Sequence, residues 1–337
     1  MPDRPQASRP LDRLPPQSFF LVSAIFHYLG PSLAVLLFAR VEVLGVAWLR
    51  VASAAAVFTL WRRPWRLAGR LSSGEWSNLL ALGLVLAVMN SVFYLAVARL
   101  PLSTVGAIEF LGTVLLAAAG TRTRRNAAAL VLTTAGVVSI TSVRIAGQPL
   151  GFVFAFANCV LFMLYIVLGH RMANAGGRGA ANAGGAAQAG RLANIDRLAG
   201  AMVIAAVIAT PWGFGGALPA FRHPVWLLAG AGVGVCSSVI PYVTDQLAMA
   251  RLPRATFSLM LALLPVFATV IGAIVLRQIP TVQDAVGIAL VVLGVAMHQQ
   301  ERKQRGLRTA GIGRSEGIPD LPGHDELRQP DRTRLAP

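Results

Sequence analysis

The sequence predicts an all-α integral membrane protein of about ten transmembrane helices, arranged as two inverted five-helix repeats. Three observations predict it. Of the 337 residues, 55% are hydrophobic and only 13% charged, against about 25% charged in soluble domains. The apolar residues fall in blocks of roughly 20, the length of helix that crosses a bilayer's hydrocarbon core. A ten-residue segment recurs in the second half of the chain at an equivalent point between two apolar blocks.

Residues 1–17 are polar and proline-rich and are expected to be a disordered tail. Helix 1, Ser18 to Phe38, follows directly and carries His27, Gly30 and Pro31. No small-residue cleavage site follows a short apolar core, so this reads as an uncleaved first span. Helix 2 runs from Leu44 to Trp61, between Arg40 and the cluster Arg62, Arg63, Arg66 and Arg70. Helix 3, Trp76 to Ala98, ends at Arg99. Helix 4 is Ser103 to Gly120, closed by Arg122, Arg124 and Arg125, and helix 5 is Asn126 to Val143. These five form the first repeat, 18–143.

The second half, 150–298, begins with helix 6, Leu150 to Gly169. A Gly/Ala-rich stretch at 171–191 is expected to be a flexible cytoplasmic linker. Helix 7 is Leu192 to Trp212, helix 8 Val225 to Ala250, helix 9 Ala255 to Leu276 and helix 10 Thr281 to His298. The polar tail, 305–337, is expected to be disordered.

The net charge of +16 is a topology signal and not a nucleic-acid footprint, because the cations sit in short clusters between apolar blocks. With a cytoplasmic N-terminus, most of them fall on the inside. The outer joints carry only Arg40, Arg99, Arg144, Arg222 and Arg277. This bias supports an even helix count with both termini cytoplasmic.

The repeat reads LAVARLPLST at Leu95–Thr104 and LAMARLPRAT at Leu247–Thr256, with seven of ten positions identical. Five helices per half is odd, so the second half enters the membrane the other way up. Inverted repeats are a common plan of secondary transporters, with the substrate site near the midplane.

Ionisable residues inside apolar blocks are candidate functional groups. Arg50 and Glu109 lie at one depth, roughly 9 Å below the outer ends of helices 2 and 4 at about 1.5 Å per residue. That depth suggests a pair. Arg50 would attract a substrate carboxylate, and Glu109 would bind an amine or a coupled proton. A purely structural salt bridge is the alternative. Asp245, near the inner end of helix 8, reads either as a gate or proton site or as an interfacial partner of Arg251 or Arg254. Asn90, Phe93 and Tyr94 share one helix face, and Tyr242 is the counterpart of Asn90 in the second repeat. They are expected to line the site or to act as interhelical glue. Pro241 and Pro265 are candidate hinges, the latter in the middle of helix 9. Cys159 and Cys236 have no metal or redox spacing, and no phosphate-binding loop is present. Neither metal nor cofactor is therefore expected.

Two stretches carry a family resemblance: MNSVFYLAVARLPLSTVGAIEFLG, Met89 to Gly112, and IPYVTDQLAMARLPRATFSLMLALLP, Ile240 to Pro265. They resemble the drug/metabolite transporter superfamily, and within it the EamA-domain branch that includes bacterial threonine/homoserine exporters. Leu49 and Arg50 also fit. The resemblance implies two EamA repeats in a bacterial inner membrane. It implies proton-coupled export of amino acids or related small metabolites, without catalysis, and leaves a homodimer open. An exporter of drugs, nucleobases or lipids on the same fold is the alternative, and a membrane-embedded lipid-modifying enzyme a remote one. The sequence differs from the family pattern at Thr113, Leu264, Arg277 and Gln278.

Overall fold

The structure is a computed structural model. It describes residues 15–67, 69, 71–120, 124–142, 148–180, 186–251, 263–294 and 296–297. These residues form ten longer helices, a short 3₁₀ turn at Pro64–Leu67 and no strand. The first five are α1 (Pro16–Leu37), α2 (Val43–Arg62), α3 (Ser73–Val97), α4 (Leu102–Gly120) and α5 (Arg124–Ser142). The second five are α6 (Pro149–Ala180), α7 (Ala186–Arg222), α8 (224–251), α9 (Leu264–Leu276) and α10 (Val282–Gly294). Within α8 a π-helical segment, Val235–Val239, joins Pro224–Gly234 to Ile240–Arg251. Six of the helices are long and apolar enough to cross a membrane, and α4, α5, α9 and α10 contribute shorter apolar stretches.

Helix starts follow local chemistry. Ser72 and Glu75 form a reciprocal capping box on α3. Thr281 and Asp284 do the same for α10, with Thr281 N donating to Asp284 Oδ2 at 2.9 Å and Asp284 N to Thr281 Oγ1 at 3.2 Å. Each box satisfies N–H groups that a helix start leaves open. Pro16 and Pro224 stand in first turns, where a missing N–H costs nothing.

The helix pairing shows the two repeats. α2 packs on α7, and α4 on α9. The α1–α8 pair corresponds to α6–α3, the α1–α9 pair to α6–α4, and the α2–α8 pair to α7–α3. Exchanging the halves leaves this pattern unchanged. With five helices per half, the second half runs in the opposite sense to the first. At the α2–α7 crossing Gly45 lies against the backbone of Gly216, so close that a Cβ at Gly45 would overlap it. On α6 the exposed residues Val153, Phe156, Val160 and Leu164 recur every three or four positions and form a lipid-facing stripe. Phe152, Ala155, Asn158 and Cys159 face the bundle.

Three expectations change. Helix extends into the stretch expected to be a linker, to Ala180 from one side and from Ala186 on the other. Alanine is the best helix former and makes up much of that stretch. α7 also continues past Trp212 to Arg222, through Pro211, Pro219 and three glycines, and two of those glycines, Gly213 and Gly216, pack closely against α2. Pro265 is not in the middle of a helix. It occupies the first turn of α9 after Leu263, where proline is accommodated without a kink. The second copy of the repeat from Leu252 onward lies outside the described residues, as do residues 1–14 and the C-terminal tail, while Pro16 and Gln17 of the expected N-terminal tail already belong to α1.

Candidate functional site

Arg50 is the centre of the polar interior. Seven residues into α2, it sits about 10 Å along the helix from its start. Its Nε donates to Ser238 Oγ at 3.3 Å and its Nη2 to the Ser237 carbonyl at 3.2 Å. This target has a local cause. In an α-helix the Ser237 carbonyl would accept the N–H of residue 241, and Pro241 has none. The helix widens at this point, with the Ile240 N–H reaching back to the Val235 carbonyl. The guanidinium supplies a donor to the carbonyl that the proline leaves without its α-helical partner.

Aromatic rings surround the same cation. The Arg50 Cζ lies 5.5 Å from the Tyr94 ring centroid and 6.0 Å from that of Phe93, within cation–π range. Tyr94 is fully buried, and its hydroxyl makes no hydrogen bond. Phe38 packs edge-on against Tyr94.

Glu109 stands seven residues into α4, at the depth of Arg50 and at the same end of the bundle. It is only 9% exposed. The sequence suggested an ion pair, but the structure shows none between Arg50 and Glu109. The guanidinium bonds to α8, and the carboxylate makes no hydrogen bond among the described residues. The two still interact electrostatically. Tyr28 on α1 and Cys159 on α6 also feel the Glu109 charge. Gly112, one turn beyond Glu109, brings α4 against α6, with Cys159 Sγ 2.7 Å from where a Cβ would stand.

The other expected residues divide. Phe93 and Tyr94 join Arg50. Asn90, on the same face of α3, donates from Nδ2 to the Leu86 carbonyl of its own helix at 2.7 Å. The Tyr242 hydroxyl meets that of Tyr165 on α6 at 3.2 Å, within the apolar cluster of α2, α3 and α7. Pro241 stands two residues past the π-helical segment, after Ile240. The backbone of Asp245 is helical, but its side chain lies outside the described residues.

Sequence reasoning did not single out Asn158 on α6. This residue is 1% exposed, and both its amide oxygen and its amide nitrogen lack a hydrogen-bond partner. Its signal was available, as a lone carboxamide in the middle of an apolar block. Ser237 and Ser238 had no comparable signal. Gln278 was noted only as a departure from the family pattern, yet its Oε1 accepts from Leu102 N at 3.1 Å, capping α4 from the other repeat.

The end of the bundle away from Arg50 and Glu109 is tied by charge. Arg62 Nε meets Asp196 Oδ1 at 2.7 Å, and Arg197 Nη2 meets Glu75 Oε1 at 2.6 Å. Both pairs join α7 to the first repeat. Near the opposite end the α2–α7 contact is aromatic. Trp48 donates from Nε1 to Thr210 Oγ1 at 3.0 Å and packs against Phe214. No group of three His, Cys, Asp or Glu is placed to hold a metal ion among the described residues.

Comparison with known proteins adds to this geometry. Residues 185–298 match the model of the EamA-like transporter family. The threonine/homoserine exporter RhtA of Salmonella typhimurium (strain SL1344) is 30% identical over 255 residues, covering 74% of this chain and 79% of that protein. RhtA of Escherichia coli (strain K12) is 28% identical over 269 residues, covering 78% and 84%. A solved structure, "Crystal structure of protein", aligns at a TM-score of 0.49 and 20% identity over 86% of this chain and 98% of that one. The paired repeats, the polar interior and the extent of identity agree, and this multi-pass membrane protein belongs to the EamA-like transporter family within the drug/metabolite transporters.

Proposed function

We propose that this chain is a secondary carrier that exports small zwitterionic metabolites, amino acids above all, by alternating access between its two repeats. The observation that carries the reading is the pair of opposite, unjoined charges inside the bundle, Glu109 buried and Arg50 half-buried. Arg50 and Glu109 lie at one depth, and the carboxylate makes no hydrogen bond among the described residues. An unpaired charge in an apolar bundle is costly. A ligand carrying both signs would offset that cost at both groups, its carboxylate at Arg50 and its ammonium at Glu109. The named exporters among the relatives support the amino-acid class.

In this reading Glu109 exchanges a proton for the substrate's ammonium, which couples export to the proton gradient. The termini are cytoplasmic in a bacterial inner membrane, as the distribution of arginine favours. The ion pairs of α7 with α2 and α3 then close the cytoplasmic end. Pro241 and the adjoining π-helical segment are the flexible point of α8, and Asp245 takes part at the inner end. A lipophilic-cation exporter would need acid alone in its interior, so Arg50 beside Glu109 favours the zwitterion.

The test is export from cells fed amino-acid dipeptides, comparing vector, wild type and Glu109→Gln. Wild type is expected to accelerate release of at least one amino acid, and the variant to abolish the acceleration at equal membrane expression. Release by Glu109→Gln at the wild-type rate refutes the role of Glu109. No accelerated release by well-expressed wild type refutes the amino-acid class.

A further inference from the structure

Asn158 has no structural occupation. Nine residues into α6, it lies about 14 Å along the helix from its start, near the midplane of a core about 30 Å thick. It is 1% exposed, and neither Oδ1 nor Nδ2 is hydrogen-bonded. Buried amides are ordinarily paired, because an unmet donor or acceptor in an apolar interior is strongly disfavoured. As interhelical glue Asn158 would bond across to α3 or α4, and it does not.

Its surroundings indicate what it awaits. The neighbouring Cys159 packs on Gly112 of α4, one turn beyond Glu109, so this part of α6 faces the α4 segment that carries the carboxylate. α2, α4 and α6 all start at the same end, which places Arg50, Glu109 and Asn158 in one slab of the bundle. Arg50 matches a carboxylate and Glu109 an ammonium. Asn158 is neutral and offers one acceptor together with donors. The group that complements it is a neutral hydroxyl, which both donates and accepts.

We propose that Asn158 is a specificity-determining residue, hydrogen-bonding the side-chain hydroxyl of an amino-acid substrate whose charged ends sit at Arg50 and Glu109. This rests on the zwitterion reading of the site. Discrimination then comes from the amide, which a hydroxyl satisfies and an isosteric methyl leaves unpaired.

The experiment measures uptake of radiolabelled L-threonine and of L-valine, its near-isostere, into vesicles holding wild-type protein or Asn158→Leu. Thermal unfolding of both purified proteins in detergent is followed alongside. Wild type is expected to favour threonine over valine by about 10-fold or more in transport efficiency. Asn158→Leu should remove most of that preference, chiefly by raising the KM for threonine. It should also unfold at a temperature equal to the wild type's or about 2–4 °C higher, since an unpaired buried amide has been removed. An unchanged threonine-to-valine ratio in the folded variant overturns the proposal, and so does wild type carrying both equally well. A lower unfolding temperature assigns Asn158 a structural role and also overturns it. If wild type moves neither amino acid, the amino-acid reading fails, and the unfolding comparison alone decides whether Asn158 is held for a ligand or for the fold.

Discussion

The bond from Arg50 to the Ser237 carbonyl can be tested by returning to the helix the donor that Pro241 lacks. Arg50→Ala strips the carbonyl of the guanidinium, at about 1–3 kcal/mol for a buried acceptor losing its donor. It also removes the hydrogen bond to Ser238 Oγ, about 1 kcal/mol, and the contacts with Phe93 and Tyr94, about 0.5–2 kcal/mol. Together these predict a loss of about 2.5–6 kcal/mol. Pro241→Ala places an N–H four residues beyond Ser237, where an α-helix pairs it with that carbonyl. In the double variant the carbonyl therefore keeps a donor, and the penalty of Arg50→Ala falls. A double-mutant cycle on thermal unfolding of the purified protein in detergent should give a coupling of about 1–2 kcal/mol, with the double variant more stable than the sum of the singles predicts. Additivity to within about 0.5 kcal/mol, the behaviour of independent sites, would refute the account. The double variant should remain inactive in export, because the restored helix bond does not replace the cation that receives a carboxylate.

Two further outcomes follow from the packing. Gly45→Ala should destabilise the protein by about 1–3 kcal/mol, because its methyl would displace the Gly216 backbone. Gly232→Ala on α8, where a Cβ meets nothing, should be neutral or stabilising by about 0.5–1 kcal/mol. Reversing Glu75 alone to Arg should lower the unfolding midpoint by the equivalent of about 1–3 kcal/mol, since it sets two cations together at a partly buried site. Glu75→Arg with Arg197→Glu should recover the ion-pair part of that loss but not the capping box with Ser72, and no recovery at all would show that the pair is not what ties α7 to α3.

The helices and their pairing in two halves were legible because lipid imposes a simple rule, that each crossing needs an apolar run of sufficient length. The repeated turn was legible for a related reason. Pro101 cannot continue α3, while Arg99 folds back to donate to the Leu95 carbonyl at 2.8 Å and covers the Phe154 ring at 5.1 Å. Such local chemistry is written in consecutive residues. The first turn of α9 was misplaced because hydropathy runs unbroken through Pro265 and does not register where a helix begins. The continuation of α7 past Trp212 was missed because a sequence does not show the neighbouring helix that fills the space beside Gly213 and Gly216.

The partner of Arg50 marks the limit more sharply. Counting residues along α2 and α4 gave the depth of Arg50 and Glu109, and each stands seven residues past the start of its helix. Depth is an axial coordinate, and a hydrogen bond also requires the two side chains to point at each other around their helix axes. That rotation is set by packing. Here α8 presents the Ser237 carbonyl to α2 because Pro241 has removed its α-helical donor. The sequence held this information in Pro241, which was noted as a hinge and not as the source of a free acceptor. A proline inside an apolar block should thus direct attention to the carbonyl four residues before it, since a buried cation on a neighbouring helix can answer the vacancy. Asn158 is the converse case. Its amide has no such answer in the fold, and a donor and acceptor left unmet at mid-membrane are most economically explained by a molecule that passes through.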